Sequence, residues 1–396
     1  MCPGGGKVSP RRAEPPRFRP GKLFPRHDAG GLRAGLSLGA HRSRPGGLTI
    51  QKTPKGNVMQ IHVTGARGFL GSHVVASLER RGVEVRALGR RDGDLRDPEV
   101  AERLLADADT IIHLAADVGG VGYLRSCAGR AFHDNFQLGL NVIRAACRGR
   151  ARRVVLAGTP CAYSGSATLP LREAALFEGV PSGDTGSYGY AKLASSIAAD
   201  AICGMAGRDT VTVIPSNLYG PGDTFDTDRG HVVAALVRKA LLAVERGQST
   251  FEVWGDGSAT RDFVYVGDVA EGIATIALEA RPFGGESFNL GSGRETSIGE
   301  IAEAVARAAG PGLRPRFLAD KPVGYTRRVM SVERAAEAVG YRAATTLADG
   351  LARTVNWLRS TGRVAAWLED ERKTPTVPLA PRRDPVGDET SSTRAA

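Results

Sequence analysis

Two side chains that can move a proton stand four residues apart in a segment whose pattern predicts a helix. They are Tyr188 and Lys192, and residues at this spacing lie on one face of a helix. A nearby ammonium favours the ionised form of a phenol, so we expect Lys192 to lower the pKa of Tyr188. Such a phenol can serve as the acid/base for oxidising a carbinol or reducing a ketone.

A glycine-rich turn far upstream offers the second half of such a site. Gly65, Gly68 and Gly71 follow a predicted strand and lead into a predicted helix. In that context glycines let the backbone hold a phosphate at a helix N-terminus, as dinucleotide-binding folds do. Together with Tyr188 and Lys192, the turn predicts a nicotinamide cofactor held beside a tyrosine acid/base.

The choice between NAD and NADP depends on the end of the second predicted strand. That segment reads Leu88-Gly89-Arg90-Arg91 and lacks the acid that would bind the ribose 2′-hydroxyl of NAD. Arg90, and Arg67 within the glycine turn, can instead bind the 2′-phosphate, so NADP is favoured over NAD. The alternative is that Arg90 and Arg91 are solvated loop charges.

Further cofactor contacts are expected near these segments. Asp94 and Leu95 are placed to contact the adenine, and Ala115 and Ala116 form a floor of small residues after the third strand. The remaining contacts expected within the glycine turn are Phe69 and Leu70.

Short apolar runs alternate with amphipathic stretches from Met59 onward, which predicts a parallel sheet covered by helices. The strands expected in the first half are Gln60–Thr64, Glu84–Leu88, Thr110–Leu114, Arg153–Ala157 and Thr210–Pro215. The helices expected between them are Leu70–Arg80, Pro98–Leu105, Ala131–Arg148 and Tyr188–Met205. We therefore predict an α/β fold, a Rossmann-type doubly wound parallel sheet with a smaller C-terminal α/β substrate lobe.

The predicted organisation has four parts. Residues 1–58 are expected to be a disordered basic extension, and residues 59–220 the NADP-binding Rossmann domain. Residues 221–371 are expected to form the substrate lobe, with some elements returning to the Rossmann domain. Its predicted elements include a helix over His231–Glu245, strands at Phe251–Trp254, Phe263–Tyr265 and Ser287–Leu290, and helices over Val269–Leu278, Ile298–Ala309 and Leu347–Arg359. Residues 372–396 are predicted to be a disordered tail.

Ten of the eleven units of net positive charge come from the first 58 residues. Twelve of the 53 Lys and Arg residues lie there with only two of the 42 acids, so the remainder is near neutral. A basic groove for nucleic acid is therefore not expected. The extension is interpreted as inert or upstream of a true start at Met59, the alternative being a transit or interaction tail.

Cysteine use and hydropathy bear on the compartment. The five cysteines are odd in number and widely spaced, so neither a disulfide framework nor a metal site is expected. There is no apolar run long enough for a signal sequence or a membrane span. These features fit a cytoplasmic protein without membrane association.

A hydroxyl after the fourth strand is expected to help bind the reacting oxygen. Thr159 is the candidate for this third catalytic group. Tyr190 is a second phenol in the same segment, but it lies two residues from Lys192 and so points elsewhere on a helix.

These motifs identify the chain as similar to the extended short-chain dehydrogenase/reductase family, and within it to the GDP-L-fucose synthases. The glycine spacing, the Tyr-x-x-x-Lys motif and four further segments carry the resemblance, which runs from about Met59 to Arg359. The four segments are Ile112-His113-Leu114-Ala115-Ala116-Asp117-Val118-Gly119-Gly120-Val121, Pro215-Ser216-Asn217-Leu218-Tyr219-Gly220-Pro221, Gly230-His231-Val232-Val233-Ala234-Ala235-Leu236 and Val253-Trp254-Gly255-Asp256-Gly257.

The resemblance implies an NADPH-dependent 3,5-epimerase/4-ketoreductase of a nucleotide sugar. It implies that Cys161 removes a proton beside the C4 ketone and that His231 returns one on the opposite face. Tyr188 would then protonate O4 while NADPH delivers hydride. It also implies cofactor contacts at Pro215, Asn217 and Leu218. A homodimer formed by the helices Ala131–Arg148 and Tyr188–Met205 is a further implication.

The same resemblance assigns Asn217, His231, Lys239, Trp254 and Arg261 to the nucleotide sugar. Lys239 stands where the family often has arginine, and Thr159-Pro160-Cys161 replaces Ser-Ser-Cys. The resemblance implies GDP-4-keto-6-deoxy-D-mannose or a close analogue as the substrate. Because the segment 119–130 also departs from the family, another GDP- or dTDP-4-ketohexose stays open.

Other functions stay open from the sequence. A single-function 4-ketoreductase would leave Cys161 and His231 idle, and a 4-epimerase would retain NAD. A 4,6-dehydratase lacks support because Thr159-Pro160-Cys161 has no carboxylate. The non-enzymatic alternative is a cofactor-sensing scaffold.

Overall fold

The computed structural model of the chain describes residues 59–226, 229–321 and 325–373. Its strands are β1 (Ile61–Thr64), β2 (Val85–Leu88), β3 (Thr110–His113), β4 (Arg153–Ala157), β5 (Asp209–Pro215), β6 (Asn217–Tyr219), β7 (Thr250–Trp254), β8 (Thr260–Arg261), β9 (Phe263–Tyr265), β10 (Glu286–Leu290), β11 (Thr296–Ser297), β12 (Arg314–Leu318) and β13 (Arg327–Arg328). Its α-helices are α1 (Phe69–Arg80), α2 (Pro98–Leu105), α3 (Val121–Ser126), α4 (Ala128–Arg148), α5 (Gly186–Met205), α6 (Val232–Glu245), α7 (Val266–Leu278), α8 (Ile298–Ala309), α9 (Glu333–Val339), α10 (Leu347–Ser360) and α11 (Arg363–Lys373).

The central sheet has six parallel strands in the order β10-β5-β4-β3-β1-β2. The strand order reverses direction along the chain at β1, as in a doubly wound fold. Parallel strands in a shared sheet bring their carboxyl ends to one edge, where ligands bind. The predicted α/β, Rossmann-type fold class is confirmed.

Alternate residues of the strands pack against two different layers of helices. Val63, Ile112 and Val155 face α1 and α7 in one apolar cluster. Ile111 and Val154 face α2, α4 and α5 in another. The strands are buried on both sides, which is why their sequences read as continuous apolar runs rather than alternating ones.

The C-terminal residues build a separate apolar cluster. It is formed by α6, α8, α10 and α11 with β7, and Val237, Phe251 and Val305 lie at its centre. By contrast, β10 pairs with β5 in the central sheet, and α7 packs on α1. All of these elements fall within one compact unit, Thr49–Ala396, so the boundary near residue 220 stays a prediction.

Several short elements were missed from the sequence. They are α3, β6, β8, β11, β12, β13, α9 and α11. The strand β12 reads Arg-Pro-Arg-Phe-Leu and has no apolar alternation that would predict a strand. It is a strand because its backbone pairs with that of β7. The helix α11 ends at Lys373, two residues inside the predicted tail. The predicted extension, 1–58, and the rest of the tail, 374–396, lie outside the described residues.

None of the helices in the described part of the chain has the length and apolar character needed to cross a membrane.

The strand β1 and the helix α1 approach each other closely at the glycine turn. A Cβ at Gly71 would overlap the carbonyl oxygen of Gly65 and lie 2.8 Å from the Cα of Ala66. Both neighbours are backbone, so neither can move aside as a side chain would. Gly71 is therefore required for α1 to rest on the turn.

We expect Gly71→Ala to lower the free energy of unfolding by about 1–3 kcal/mol, because the added methyl overpacks this contact. Urea unfolding followed by circular dichroism measures the change. Gly129→Ala is the matched control, since Gly129 also lies in a helix but has open space at its Cβ position. Equal stability of the two variants would contradict this account of Gly71.

Candidate active site

The predicted catalytic and cofactor residues gather at the carboxyl edge of the central sheet. The glycine turn follows β1, Ala115 and Ala116 follow β3, and Thr159 follows β4. The strand β5 ends at Pro215 beside them. The fold thus brings segments that are distant in sequence to one edge.

The glycine turn forms a cradle that suits a diphosphate. Gly65 has φ +69°, and a Cβ on it would lie 2.7 Å from the backbone nitrogen of Ala115. The backbone N–H of Gly68 donates to the carbonyl of Gly65 at 2.9 Å. The helix α1 begins at Phe69 with no side-chain cap, so its first N–H groups are left for a ligand. The residues therefore fit a dinucleotide.

The adenosine end of this cradle holds an acid that the sequence analysis did not place there. Asp92 folds back so that its Oδ2 accepts the backbone N–H of Gly89 at 2.8 Å and Arg67 Nη1 at 2.9 Å. The N–H of Gly89 is the main cause that holds the pKa of Asp92 below its usual range; desolvation opposes it, and Arg67 lowers the pKa further. Arg90 and Arg91 are exposed beside it.

The other predicted cofactor residues occupy different environments. Leu95 is buried in the apolar cluster with Leu88, and the exposed carboxylate of Asp94 pairs with Arg96 at 2.6 Å. Phe69, Leu70, Ala115, Ala116 and Leu218 are half-buried, Pro215 is buried, and Asn217 is exposed. An adenine contact by the Leu95 side chain would thus require it to leave the core.

Tyr188 and Lys192 are both buried on α5. Burial raises the pKa of Tyr188, and the nearby Cys161 adds to the rise. Burial also lowers the pKa of Lys192 to about 8. The direction of the Tyr188 pKa is thus opposite to the expected lowering, because desolvation is the largest cause and Lys192 is not among the groups that shift it.

Lys192 lies at the end of β3 and β4. Its charge is the second cause, after burial, of a pKa of His113 lowered to about 3. His113 is thus neutral, and its Nδ1 is 2.8 Å from Thr64 Oγ1. Lys192 and Thr159 also line one small cavity. Thr159 is accordingly close enough to Lys192 to share in the same site.

Cys161 lies in a short 3₁₀ turn, Pro160–Ala162, directly against α5. Thr159 begins the turn and accepts the backbone N–H of Cys161 at 3.2 Å. A Cβ at Gly189 would overlap the carbonyl oxygen of Cys161. Because Gly189 allows this approach, Cys161 packs beside Tyr188 in one small cluster.

His231 lies at the N-terminus of α6, where 48% of its side chain is exposed. Its Nδ1 is 3.9 Å from Oδ1 of Asp223, whose own side chain is almost fully buried. The other oxygen, Oδ2, has no hydrogen-bond donor among the described residues. A buried acceptor without a donor is costly, and Asp223 lies beside the imidazole with one oxygen still able to accept a hydrogen bond.

A polar clamp joins the segment before His231 to the loop after β3. Arg229 donates to Asp117 at 2.9 Å and lies 4.0 Å over the ring of Tyr123. Tyr123 donates to the same carboxylate at 2.7 Å. The backbone N–H of Gly120 donates to the carbonyl of Arg229 at 3.0 Å. Since Tyr123 also packs against the Tyr188 cluster, the clamp connects the surroundings of Cys161 with those of His231.

Three of the residues predicted to bind the nucleotide sugar lie in two groups, Lys239 with Trp254 and Arg261 with Arg328. The Nζ of Lys239 lies 5.4 Å from the centre of the Trp254 ring, which is 55% exposed. Burial, and then the neighbouring Arg328, lower the pKa of Arg261. Arg328 donates to the carbonyls of Pro160 and Tyr163, so it joins this cationic pair to the Cys161 turn.

The sequence analysis missed Asp92, Asp117, Tyr123, Asp223, Arg229 and Arg328. Asp223 had a signal, since it lies two residues after the Pro215–Pro221 segment. Arg229 is likewise two residues before His231. Their side-chain partners come from other elements, and nothing in the local pattern identified those partners.

Comparison with known proteins gives a consistent result. The model of the NAD dependent epimerase/dehydratase family matches residues 61–291. The chain is 34% identical over 297 residues to the GDP-L-fucose synthase of Sinorhizobium fredii (strain NBRC 101917 / NGR234), covering 74% of this chain and 94% of the relative. It is 32% identical over 301 residues to GDP-L-fucose synthase 1 of Arabidopsis thaliana, covering 75% of this chain and 92% of the relative.

A solved structure with a similar fold is that of a GDP-L-fucose synthetase from Naegleria fowleri bound to NADP. The two structures superpose with a TM-score of 0.70 at 25% sequence identity, covering 77% of this chain and 94% of the other.

Proposed function

Because this chain belongs to the NAD-dependent epimerase/dehydratase family, we propose that it is an NADPH-dependent nucleotide-sugar 3,5-epimerase/4-ketoreductase. The proposed reaction converts GDP-4-keto-6-deoxy-D-mannose to GDP-L-fucose or a close analogue. The relatives named GDP-L-fucose synthase support the substrate class, and the NADP-bound structure supports the cofactor.

One observation carries the proposal. A buried phenol, Tyr188, and a thiol, Cys161, lie against each other at the carboxyl edge of the sheet, with Lys192 buried on the same helix. A plain reductase needs the phenol and the lysine but has no use for a thiol at this point. The thiol is therefore what favours epimerisation in addition to reduction.

The cofactor residues proposed are those of the cradle. Gly65, Gly68 and Gly71 allow the diphosphate to approach the backbone. Arg90, which is exposed, and Arg67, which pairs with Asp92, are proposed to bind the 2′-phosphate. NADPH, when bound, supplies the hydride for C4. The small side chains of Ala115 and Ala116 leave room above the end of β3.

The proposed role of Tyr188 is to donate a proton to O4 during the reduction. Its raised pKa keeps the phenol protonated, which is the form that can donate. Lys192, with a pKa of about 8, carries charge at neutral pH and can stabilise the phenolate that remains. Thr159 is proposed to donate a further hydrogen bond to the same oxygen.

Inversion of a carbon centre needs a base on one face and an acid on the other. Cys161 is proposed to remove the protons at C3 and C5, whose acidity comes from the adjacent C4 carbonyl. His231 is proposed to return a proton from the opposite face. The clamp of Tyr123, Asp117 and Arg229 connects the surroundings of Cys161 with the segment before His231, which supports their action on one substrate.

The nucleotide sugar is proposed to bind along Asn217, Lys239, Trp254 and Arg261. Arg261 and Arg328 are neighbouring cations without an acidic partner among the described residues. A diphosphate would relieve their mutual repulsion. The exposed ring of Trp254 is suited to stack on a base or a sugar.

The first test replaces the proposed proton donor. We expect Tyr188→Phe to lower kcat for C4 reduction by at least about 100-fold, because the substrate oxygen loses its acid. NADPH affinity, measured by fluorescence titration, should change little. Tyr190→Phe is the matched control, since Tyr190 is exposed on the same helix. Wild-type turnover by Tyr188→Phe would refute the role.

The second test separates epimerisation from reduction. Cys161→Ser and His231→Asn should block solvent deuterium uptake at C3 and C5, detected by NMR, while slow C4 reduction continues. Cys127→Ser, from the same apolar cluster, and His133→Asn, which is exposed, are the controls. Undisturbed exchange in both active-site variants would leave a single-function 4-ketoreductase as the function.

We further propose that the chain forms a homodimer through α4 and α5. Both helices expose apolar side chains away from the sheet, among them Phe132, Ile197, Ile202 and Met205. Phe132 also stacks on Phe136, with ring centres 6.0 Å apart. Apolar side chains grouped on adjoining helices mark a protein–protein interface.

We expect light scattering to give twice the mass of one chain for the wild type and one chain mass for Ile197→Asp, because the charge would be buried without a partner. Val180→Asp is the control, as Val180 is exposed but lies outside both helices. A monomeric wild type would contradict the dimer.

The proposed location is the cytoplasm. The four cysteines in the described residues are all free thiols, as a reducing compartment would keep them. Cell fractionation tests this assignment.

A further inference from the structure

The carboxylate of Asp92 occupies the position where the ribose 2′ group of the cofactor is expected. In dinucleotide-binding folds, an acid at the end of the second strand accepts hydrogen bonds from the 2′-hydroxyl. Asp92 is four residues beyond the end of β2, yet its Oδ2 lies 2.8 Å from the backbone nitrogen of Gly89, the residue directly after that strand. The turn therefore returns an acid to this point.

The turn from Gly89 to Asp92 is closed by two hydrogen bonds between these residues. The backbone N–H of Asp92 donates to the carbonyl of Gly89 at 3.0 Å, and the side chain of Asp92 accepts the N–H of Gly89 in return. Such local hydrogen bonds are typical of Asp in turns. The position of this carboxylate is thus set by the backbone and does not depend on Arg67.

Arg67 is the cation that the acid engages. Its side chain crosses Gly89, since a Cβ there would lie 3.1 Å from Arg67 Nη1 and 3.5 Å from its Cδ. Its Nη1 then ends on Asp92 Oδ2 at 2.9 Å. The two donors that meet at this oxygen, the Arg67 guanidinium and the Gly89 N–H, are the groups that a 2′-phosphate would need.

The other charged side chains nearby do not pair with Arg67 in place of Asp92. Arg90 and Arg91 are exposed cations of the same turn. Asp94, the next acid, is already held by Arg96 at 2.6 Å. Arg86 adds a weak field to Asp92 but pairs with Asp107 at 3.2 Å. Asp92 is therefore the acid that competes for Arg67.

We propose that Asp92 sets the cofactor preference of this chain by taking the place of the 2′-phosphate. NADPH must displace the carboxylate from Arg67 and tolerate its charge, whereas NADH offers a 2′-hydroxyl that the carboxylate accepts. The carboxylate consequently reduces the preference for NADPH over NADH. This inference rests on the proposed function, because it concerns the same nicotinamide site.

The test compares the dissociation constants of NADPH and NADH, which differ only at the 2′ group, by isothermal titration calorimetry. Asp92→Asn removes the charge but keeps an oxygen that can accept the N–H of Gly89. We expect NADPH to bind at least about threefold tighter in Asp92→Asn, as expected for release of an exposed ion pair and loss of a repelling charge, while NADH binds equally or more weakly. Asp320→Asn is the matched control, since it removes the same charge from an exposed position in the turn after β12.

A second variant checks the mechanism. In an Arg67→Ala background, Asp92→Asn should give a smaller gain for NADPH, because no guanidinium remains to be released. Thermal unfolding of each variant shows that the fold is kept.

Tighter binding of both cofactors by the same factor, or weaker NADPH binding in Asp92→Asn, would overturn the inference and make Asp92 a support for Arg67. Wild-type protein that binds neither cofactor would instead overturn the proposed function.

Discussion

The helix α5 lies in backbone contact with the turn that carries Cys161, and the rest of the site depends on that contact. Gly189 permits it, because any side chain there would overlap the Cys161 carbonyl. The contact places the thiol against the phenol of Tyr188 and buries both the phenol and Lys192. A fold that held α5 one side chain further away would leave the phenol and the thiol in separate, hydrated places.

Burial also decides the charge states at this edge of the sheet. It favours the neutral form of each group, so Tyr188 remains a phenol and His113 remains uncharged. Lys192, whose pKa is lowered to about 8, keeps its charge at neutral pH and loses it as the pH rises above that value. A protonated phenol is suited to proton donation, which makes the raised pKa of Tyr188 compatible with the proposed reduction. The lysine then acts on the phenolate left behind rather than on the resting phenol.

The segment before His231 is held by contacts with the loop and short helix after β3. The segment 119–130 contributes Tyr123 to the clamp on Arg229. Arg130 adds a hydrogen bond to the Tyr123 hydroxyl at 2.9 Å. These contacts place His231 through its neighbouring backbone.

The central sheet, its covering helices and the grouping of Tyr188, Lys192 and the glycine turn could all be inferred from the chain alone. Each depends on local signals: apolar runs, helical spacing and glycines that follow a strand. The partners of Asp92, Arg229 and Asp223 could not be inferred, nor could short strands such as β12. The direction of the Tyr188 pKa was also misjudged, because spacing shows which residues share a face but not how much water reaches them. Desolvation and long-range pairing arise only when distant segments pack together, so they are properties of the folded molecule.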